Sequence, residues 1–257
     1  MKLNAKFVFS IGLLTLLYFT LPGSLRAQTI PAAVYEVAAD GGVTILTAGT
    51  VTGSGCNGIY GCQSSTMTAS YAGGGASASG SGSASGLNPA NTGGLGDVTF
   101  YFSVVGSSSE LVPLIFTGSG STSASGPAAE AQAQFFTPGG ALYGCSATGG
   151  DVGACGTEPA SFSGSIDYSV SSNTLYDVRI IAAGSSSLGT GNWSASVDPM
   201  VVIDPTFADI GKFTLDFSSS SPTPTPEPSS LLLFGSGLLG MAGLLLNRKR
   251  IGNPSVS

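Results

Sequence analysis

Strand-like alternation is the feature that most constrains the fold of this chain. Between residues 33 and 217 no stretch combines helix-forming residues with an apolar repeat of 3.6 residues. Instead, short segments rich in β-branched and aromatic residues recur, most clearly at residues 97–105 and 110–118. About ten such segments, separated by Gly-, Pro- and Ser-rich turns every 8–12 residues or so, predict an all-β sandwich or a jelly-roll-like domain.

Turn residues predict how some of these strands connect. The dipeptide Asp40-Gly41 indicates a hairpin between residues 33–39 and 42–51. The turn at residues 171–173 indicates a second hairpin between the strands on either side of it. Pro113 lacks an N–H, so we expect its strand to lie at a sheet edge or to be bulged.

Two low-complexity segments, residues 73–87 and 118–129, alternate Ser with Ala or Gly. Such residues bury little apolar area, so the segments could be flexible loops. The period of two also suits paired strands whose Ala face packs against a neighbouring sheet. We favour strands, because both segments continue into strong strand patterns.

The N-terminal residues 1–27 have the layout of a secretory signal peptide. Lys2 and Lys6 precede an apolar run at residues 7–21, and a small residue, Ala27, is the expected cleavage point. An uncleaved N-terminal anchor is the alternative. Export would place residues 28–218, the predicted β-domain, in an oxidising compartment.

The C-terminal part reads as a linker, a membrane helix and a basic end. Residues 219–228 are rich in Pro, Ser and Thr, and residues 229–246 are uncharged and mainly apolar. A helix of about 18 residues spans roughly 27 Å, close to a bilayer core of roughly 30 Å. Basic residues resist translocation, so the end of the 229–250 segment and the tail at 251–257 should stay in the cytoplasm. A buried helix of a soluble protein is the alternative.

This order of parts resembles the PEP-CTERM sorting signal of Gram-negative bacteria. The motif Pro226-Glu227-Pro228 is followed by the apolar helix and by a basic cluster. The resemblance implies recognition by exosortase, an integral-membrane enzyme, then cleavage near the motif and release or transfer to the cell exterior. The chain departs from the pattern in continuing for seven residues after the basic cluster. The implied recognition residues are Pro226, Glu227, Pro228, Arg248, Lys249 and Arg250.

The predicted β-domain also resembles the extracytoplasmic bodies of PEP-CTERM proteins, at residues 112–126 and 195–217. This likeness implies a secreted β-domain and brings no defined activity with it. It also implies an association with exopolysaccharide or biofilm.

Four cysteines lie in Gly-rich stretches of the domain, at positions 56, 62, 145 and 155. Three pairings are formally possible. We favour Cys56 with Cys62 and Cys145 with Cys155, because each pair closes a short loop and stabilises the fold by roughly 2–3 kcal/mol. A zinc site is the alternative, but the spacings do not fit zinc knuckles and the chain has no His.

The domain is strongly acidic. Residues 28–218 hold two basic side chains, Arg179 and Lys212, against thirteen acidic ones, a net charge of −11. Two cations cannot neutralise a row of phosphates, so we expect no nucleic-acid partner.

The sequence offers little catalytic chemistry. Without His, a Ser-His-Asp or Cys-His arrangement is impossible. The densest acidic group could support glycoside hydrolysis or a weak calcium site, or could cap turns on a solvated surface, which we favour. That group is Asp198, Asp204, Asp209 and Asp216.

Aromatic residues leave two interpretations open. Trp193 could form a sugar-stacking face with four tyrosines, or could belong to the core, which we favour for a lone Trp in a sandwich. The tyrosines are Tyr101, Tyr143, Tyr168 and Tyr176.

We therefore expect a non-enzymatic structural or interaction protein without a cofactor. It would be exported, held for a time in the inner membrane by its C-terminal helix, and delivered to the cell surface or extracellular matrix. A carbohydrate- or calcium-binding jelly-roll module is the alternative, and a carboxylate-based glycoside hydrolase is a third hypothesis.

Overall fold

The computed structural model describes residues 29–57, 61–86, 92–149, 155–188 and 190–220. The predicted signal peptide, the apolar C-terminal segment and the sorting residues lie outside these ranges. Within them the chain forms thirteen strands. They are β1 (Val34–Ala39), β2 (Val43–Ile45), β3 (Gly49–Asn57), β4 (Gly61–Ala72), β5 (Gly75–Ser85), β6 (Thr92–Gly106), β7 (Leu111–Ser125), β8 (Ala128–Thr137), β9 (Gly140–Gly149), β10 (Ser161–Ser171), β11 (Leu175–Leu188), β12 (Gly191–Ile203) and β13 (Phe213–Phe217).

The strands form two antiparallel sheets, which confirms the all-β prediction. The first sheet has the order β2-β1-β6-β11-β8-β9, and β13 pairs with β6 beyond the end of β1. The second sheet has the order β10-β7-β12-β5-β4-β3. From β6 onward the chain changes sheet at every connection except the β8–β9 hairpin, so the two sheets are interleaved in sequence. No helix in the described ranges has the length and hydropathy needed to span a membrane.

A single core fills the space between the sheets. Aromatic residues from both sheets meet there, as in the Phe102 and Phe116 rings, whose centroids lie 5.8 Å apart. Phe100 and Phe135 are also fully buried. Each such side chain contributes roughly 1.5–3 kcal/mol through burial.

Both low-complexity segments are strands, as the alternation predicts. In β5 the side chains of Ala76, Ala78 and Ala84 are 1–3% exposed and face the other sheet, whereas the serines between them face outward. The second segment continues β7 to Ser125. These small inward residues leave room for larger side chains of the opposite sheet.

The hairpin at Asp40-Gly41 is present, but its second strand is shorter than predicted. β1 pairs with β2 around a 3₁₀ turn, and the chain then crosses to the second sheet, where β3 begins at Gly49. β3 then lies close against the 3₁₀ turn: a Cβ on Gly53 would lie 1.8 Å from the Asp40 carbonyl oxygen. The single strand expected over residues 42–51 is therefore wrong.

The hairpin expected at residues 171–173 is also wrong. β10 pairs with β7 in the second sheet, whereas β11 pairs with β6 and β8 in the first. The turn is held by the β6–β7 connection instead, since the Ser172 N–H donates to the Glu110 carbonyl (3.0 Å) and the Asn173 N–H to the Val104 carbonyl (2.7 Å). Asn173 has φ of 58°, a left-handed conformation that Asn tolerates.

Pro113 lies inside the second sheet, not at its edge. β7 is flanked by β10 and β12, and Pro113 is opposite Ser169 of β10. On the other side β12 has already ended, and the N–H of Asp204 donates to the Pro113 carbonyl (3.0 Å). The N and C=O of one residue in an antiparallel ladder point to the same side. The missing N–H therefore faces the end of β12, where the ladder needs no donor.

Tyr71 gives the core a pH-dependent contribution to stability. Its ring stacks on Phe100 with 5.0 Å between centroids, and burial raises the pKa of Tyr71 to about 12. The folded state therefore holds the phenol neutral while the unfolded chain ionises it near pH 10. We expect the stability due to Tyr71 to be complete below about pH 10 and to be lost as pH rises toward 12. Urea unfolding of the wild type and Tyr71→Phe between pH 8 and pH 12 measures this, and an identical pH dependence for both proteins would contradict it.

Candidate functional site

Most of the outer face of the second sheet is covered by serine and threonine hydroxyls, and we call this part the hydroxyl face. Over this part the strands place Ser or Thr outward at alternate positions and small or apolar residues inward, whereas Leu111, Ile115 and Met200 face outward beside it. The hydroxyl face comprises Thr50, Thr52, Ser54, Ser64, Thr66, Thr68, Ser70, Ser77, Ser79, Ser81, Ser83, Thr117, Ser119, Ser121, Ser123, Ser161, Ser163, Ser165, Ser194 and Ser196.

Strand register brings these hydroxyls into rows across the sheet. Ser79 of β5 is opposite Thr68 of β4 on one side and Ser196 of β12 on the other, and Ser196 is opposite Ser121 of β7. Neighbouring strands lie about 4.8 Å apart, and alternate residues of one strand about 6.7 Å apart. The face is therefore a regular grid of short polar side chains.

Neighbouring hydroxyls bond to each other across the strands. Thr50 bonds to Thr68 (2.9 Å), Ser70 to Ser77 (2.7 Å), and Ser121 to Ser196 (2.8 Å). A hydroxyl has one donor hydrogen and two acceptor lone pairs, so each bonded pair keeps one donor and free lone pairs for a partner. The pairing orients the side chains while leaving the face able to donate and to accept.

The hydroxyl face is almost uncharged, although the protein is acidic. Among the six strands of the second sheet, the charged residues are Asp167 and Asp198. The other acidic residues of the described ranges lie on the first sheet and in connections. A partner of this face would therefore meet hydrogen-bonding groups with little electrostatic repulsion.

Two shallow depressions cross the hydroxyl face. The larger, about 340 Å³, lies over β4, β5 and β12 between threonine and serine side chains such as Thr66, Ser81 and Ser194. The other, about 250 Å³, contains Ser77 and Ser119 and has Asp198 at its rim. Both lie above glycine and alanine positions of the sheet, so their floors are formed partly by backbone.

The first sheet presents a different, charged outer face. Arg179 of β11 reaches across to β6, where its Nε donates to both carboxylate oxygens of Asp97 (3.1 and 3.0 Å). The Asp97 side chain is 10% exposed and that of Arg179 is 50% exposed. Hydrogen bonding to Asp97 raises the pKa of Arg179. This pair fixes two central strands and occupies the guanidinium, so it offers no free cation to an anionic partner.

A row of amides runs along β8 on the same charged side. The Gln134 Nε2 donates to the Gln132 Oε1 (2.7 Å), and the Gln132 Nε2 donates to Glu130. Gln132 and Gln134 line a depression of about 190 Å³ with Tyr143 and Glu158. The alternation of small and polar residues at positions 128–137 is the sequence signal for this row.

The predicted acidic group is dispersed. Asp198 lies on the hydroxyl face, and Asp216 is exposed on β13. Asp204 accepts hydrogen bonds from the backbone N–H and hydroxyl of Thr206 (2.8 and 2.7 Å), which lower the pKa of Asp204. Asp209 pairs with Lys212 (2.7 Å). Turn capping is confirmed for Asp204 and wrong for Asp198, which is in a strand. In the part of the chain described, no three acidic or cysteine residues gather as metal ligands.

Trp193 belongs to the core, as favoured above. It is 2% exposed and its Nε1 has no hydrogen-bond partner, so it cannot stack on a sugar at the surface. Tyr143 and Tyr168 are each about two-fifths exposed but lie on β9 and β10, in different sheets. The sugar-stacking face considered for these aromatic residues is not formed.

The four cysteines form two pairs at disulfide distance, in the predicted nearest-neighbour arrangement. Cys56 and Cys62 face each other across β3 and β4, and Cys145 of β9 is joined to Cys155. The first bridge ties an edge strand to its neighbour. The second holds the segment after β9 against that strand.

Comparison with known proteins identifies the C-terminal segment. The family model of the PEP-CTERM protein-sorting motif matches residues 224–249, which confirms the resemblance stated above. This motif is a recognition signal for exosortase processing and indicates an exported, sorted protein. No curated protein and no solved structure matches the chain.

Proposed function

We propose that this exported chain is a non-enzymatic protein of the cell surface or extracellular matrix that adheres to uncharged exopolysaccharide through the hydroxyl face. The observation that carries the proposal is the grid of Ser and Thr hydroxyls on a sheet with two charged residues, Asp167 and Asp198. A place in a biofilm follows from this adhesion together with the sorting motif.

The chemistry of the two surfaces is complementary. Sugar hydroxyls, like those of Ser and Thr, both donate and accept hydrogen bonds, so a neutral glycan can replace the water on this face. A neutral hydrogen bond contributes only about 0.5–1.5 kcal/mol net, so one sugar unit would bind weakly. A polymer that crosses several rows gains effective concentration at each further contact. We therefore expect binding of long chains and little binding of monosaccharides.

The acidic residues support adhesion better than hydrolysis. Glycoside hydrolysis needs two carboxyl groups about 5–10 Å apart at one site. Each of the depressions described above contains at most one carboxylate, Asp198 in one and Glu158 in another. We accordingly propose neither an enzymatic activity nor a cofactor.

Cosedimentation with polysaccharides tests the proposal. The exported protein should bind an insoluble uncharged glucan, and binding should persist from 50 to 500 mM salt because no ion pairs are involved. Ser79→Glu places a carboxylate in the centre of the grid and should weaken binding at least tenfold. Thr214→Glu adds the same charge on β13 of the first sheet and is the matched control. Equal binding by the wild type and Ser79→Glu, or preference for a uronic-acid polymer, would disprove the role of the hydroxyl face.

A further inference from the structure

We propose that copies of this chain assemble edge to edge, with β3 of one copy pairing with β10 of the next, into filaments. The partner surface is a second copy of the same protein. The proposal does not depend on polysaccharide binding, although such a filament would extend the hydroxyl face.

The second sheet ends in two long, open strands. β3 has nine residues and β10 has eleven. These two strands contain one charged residue, Asp167. Among the described residues, no hydrogen bond reaches the outer backbone edge of β3. The same holds for β10 up to Ser171, whose N–H donates to the Tyr176 hydroxyl. Unpaired N–H and C=O groups on a long edge strand are a template for another strand unless Lys, Pro or a bulge blocks them. Neither strand contains Lys, Arg or Pro.

The edges of the first sheet, in contrast, are short or bonded to another segment. β2 at one edge has three residues. At the other edge the Cys145 N–H of β9 donates to the Pro159 carbonyl (2.8 Å), and the Cys145–Cys155 pair holds that segment in place. The edges of the first sheet are therefore less available for pairing than β3 and β10 of the second.

Strand direction permits a simple head-to-tail contact. The second sheet has six strands, and every neighbouring pair is antiparallel. With an even number of alternating strands, β3 and β10 run in opposite directions. A copy shifted sideways therefore brings its β3 antiparallel to β10 of its neighbour. This contact joins two different surfaces, so it propagates into an open filament rather than closing as a dimer.

Side chains at the two edges suit each other. Outward-facing Thr52 of β3 would meet serines of β10 such as Ser165, which repeats the Thr52–Thr66 hydroxyl pair (3.1 Å) found within the sheet. Leu46, which precedes β3, is 73% exposed, and Tyr168 of β10 is 41% exposed. Pairing of the edges would cover both, and the absence of charge on β3 avoids repulsion between acidic copies.

Sedimentation velocity and negative-stain microscopy of the exported protein test the assembly. The wild type should sediment faster as concentration rises and should form filaments. Thr52→Glu and Ser165→Glu should each weaken association at least tenfold, because each places an unpaired carboxylate at the contact. The double variant Thr52→Lys/Ser165→Glu should recover association, since every contact then joins one Lys to one Glu. Thr214→Glu is the control and should assemble normally, and circular dichroism shows that each variant is folded.

Three results would overturn the proposal: a wild type that stays monomeric at all concentrations, a Ser165→Glu variant that assembles normally, or a double variant that fails to recover. The last two would indicate β3–β3 contacts instead. Ser79→Glu separates this proposal from the proposed function. If Ser79→Glu forms filaments that bind glucan as well as those of the wild type do, adhesion through the hydroxyl face is refuted. The assembly proposal then still stands.

Discussion

Replacing Trp193 with Ala should lower the free energy of unfolding by about 3–5 kcal/mol, the range for removing a large buried aromatic side chain. The ring fills a space made by glycines of three strands. A Cβ on Gly82 would lie 2.4 Å from Trp193 Nε1, and a Cβ on Gly184 would lie 2.2 Å from Trp193 Cε3. Because these glycines have no side chains that could move into the space, the cavity would remain open. Urea unfolding followed by circular dichroism measures the loss.

Ser194→Ala is the matched control for Trp193→Ala. Ser194 is the next residue of β12 but faces outward, so its change should stay within about 0.5 kcal/mol. Gly184→Ala tests the same packing from the other side and should cost about 1–3 kcal/mol by overpacking. A loss below about 1 kcal/mol for Trp193→Ala would contradict the tight fit of the ring.

Changing the sorting signal should stop processing altogether. Glu227→Ala alters the PEP motif, and replacing Arg248, Lys249 and Arg250 with Ser removes the basic end that should remain in the cytoplasm. We expect either variant to accumulate in the inner membrane at the mass of the unprocessed chain. Mass spectrometry of the membrane and culture-fluid fractions measures this, and it also locates both cleavage points in the wild type.

Deletion of residues 251–257 is the control for the sorting variants. This tail follows the basic cluster and lies beyond the matched motif, so its loss should leave release unchanged. Normal release of both the Glu227→Ala and the basic-cluster variant would show that these residues are not the recognition signal.

The alternation of residues predicts the strands themselves. Ala and Ser alternate in β5 because one set faces the core and the other faces water, and this pattern is visible without a structure. The burial of Trp193 could also be anticipated, since a large ring is most stable where its apolar area is removed from water. Such features depend on neighbours in sequence or on the polarity of one side chain.

Features that depend on strand order could not be predicted in this way. A turn at residues 171–173 shows that the chain reverses direction, but it does not say that β10 and β11 enter different sheets. For the same reason Pro113 suggested an edge, because the early end of β12 beside it could not be foreseen. The hydroxyl face has this origin too: Ser79, Ser121 and Ser196 come from distant segments and meet only through the order of the strands.

The two ends of the described domain are bonded to each other, since the Ala33 N–H donates to the Ser219 carbonyl (3.2 Å). A domain whose ends meet can be circularly permuted, with a few glycines joining the old ends and new ends opened in a surface turn. The turn between β8 and β9, which contains exposed Gly139, is a suitable place. A fluorescent label attached beside Ala33 would report from nearly the same spot as one beside Ser219, so a pair of labels should show efficient energy transfer that disappears on unfolding.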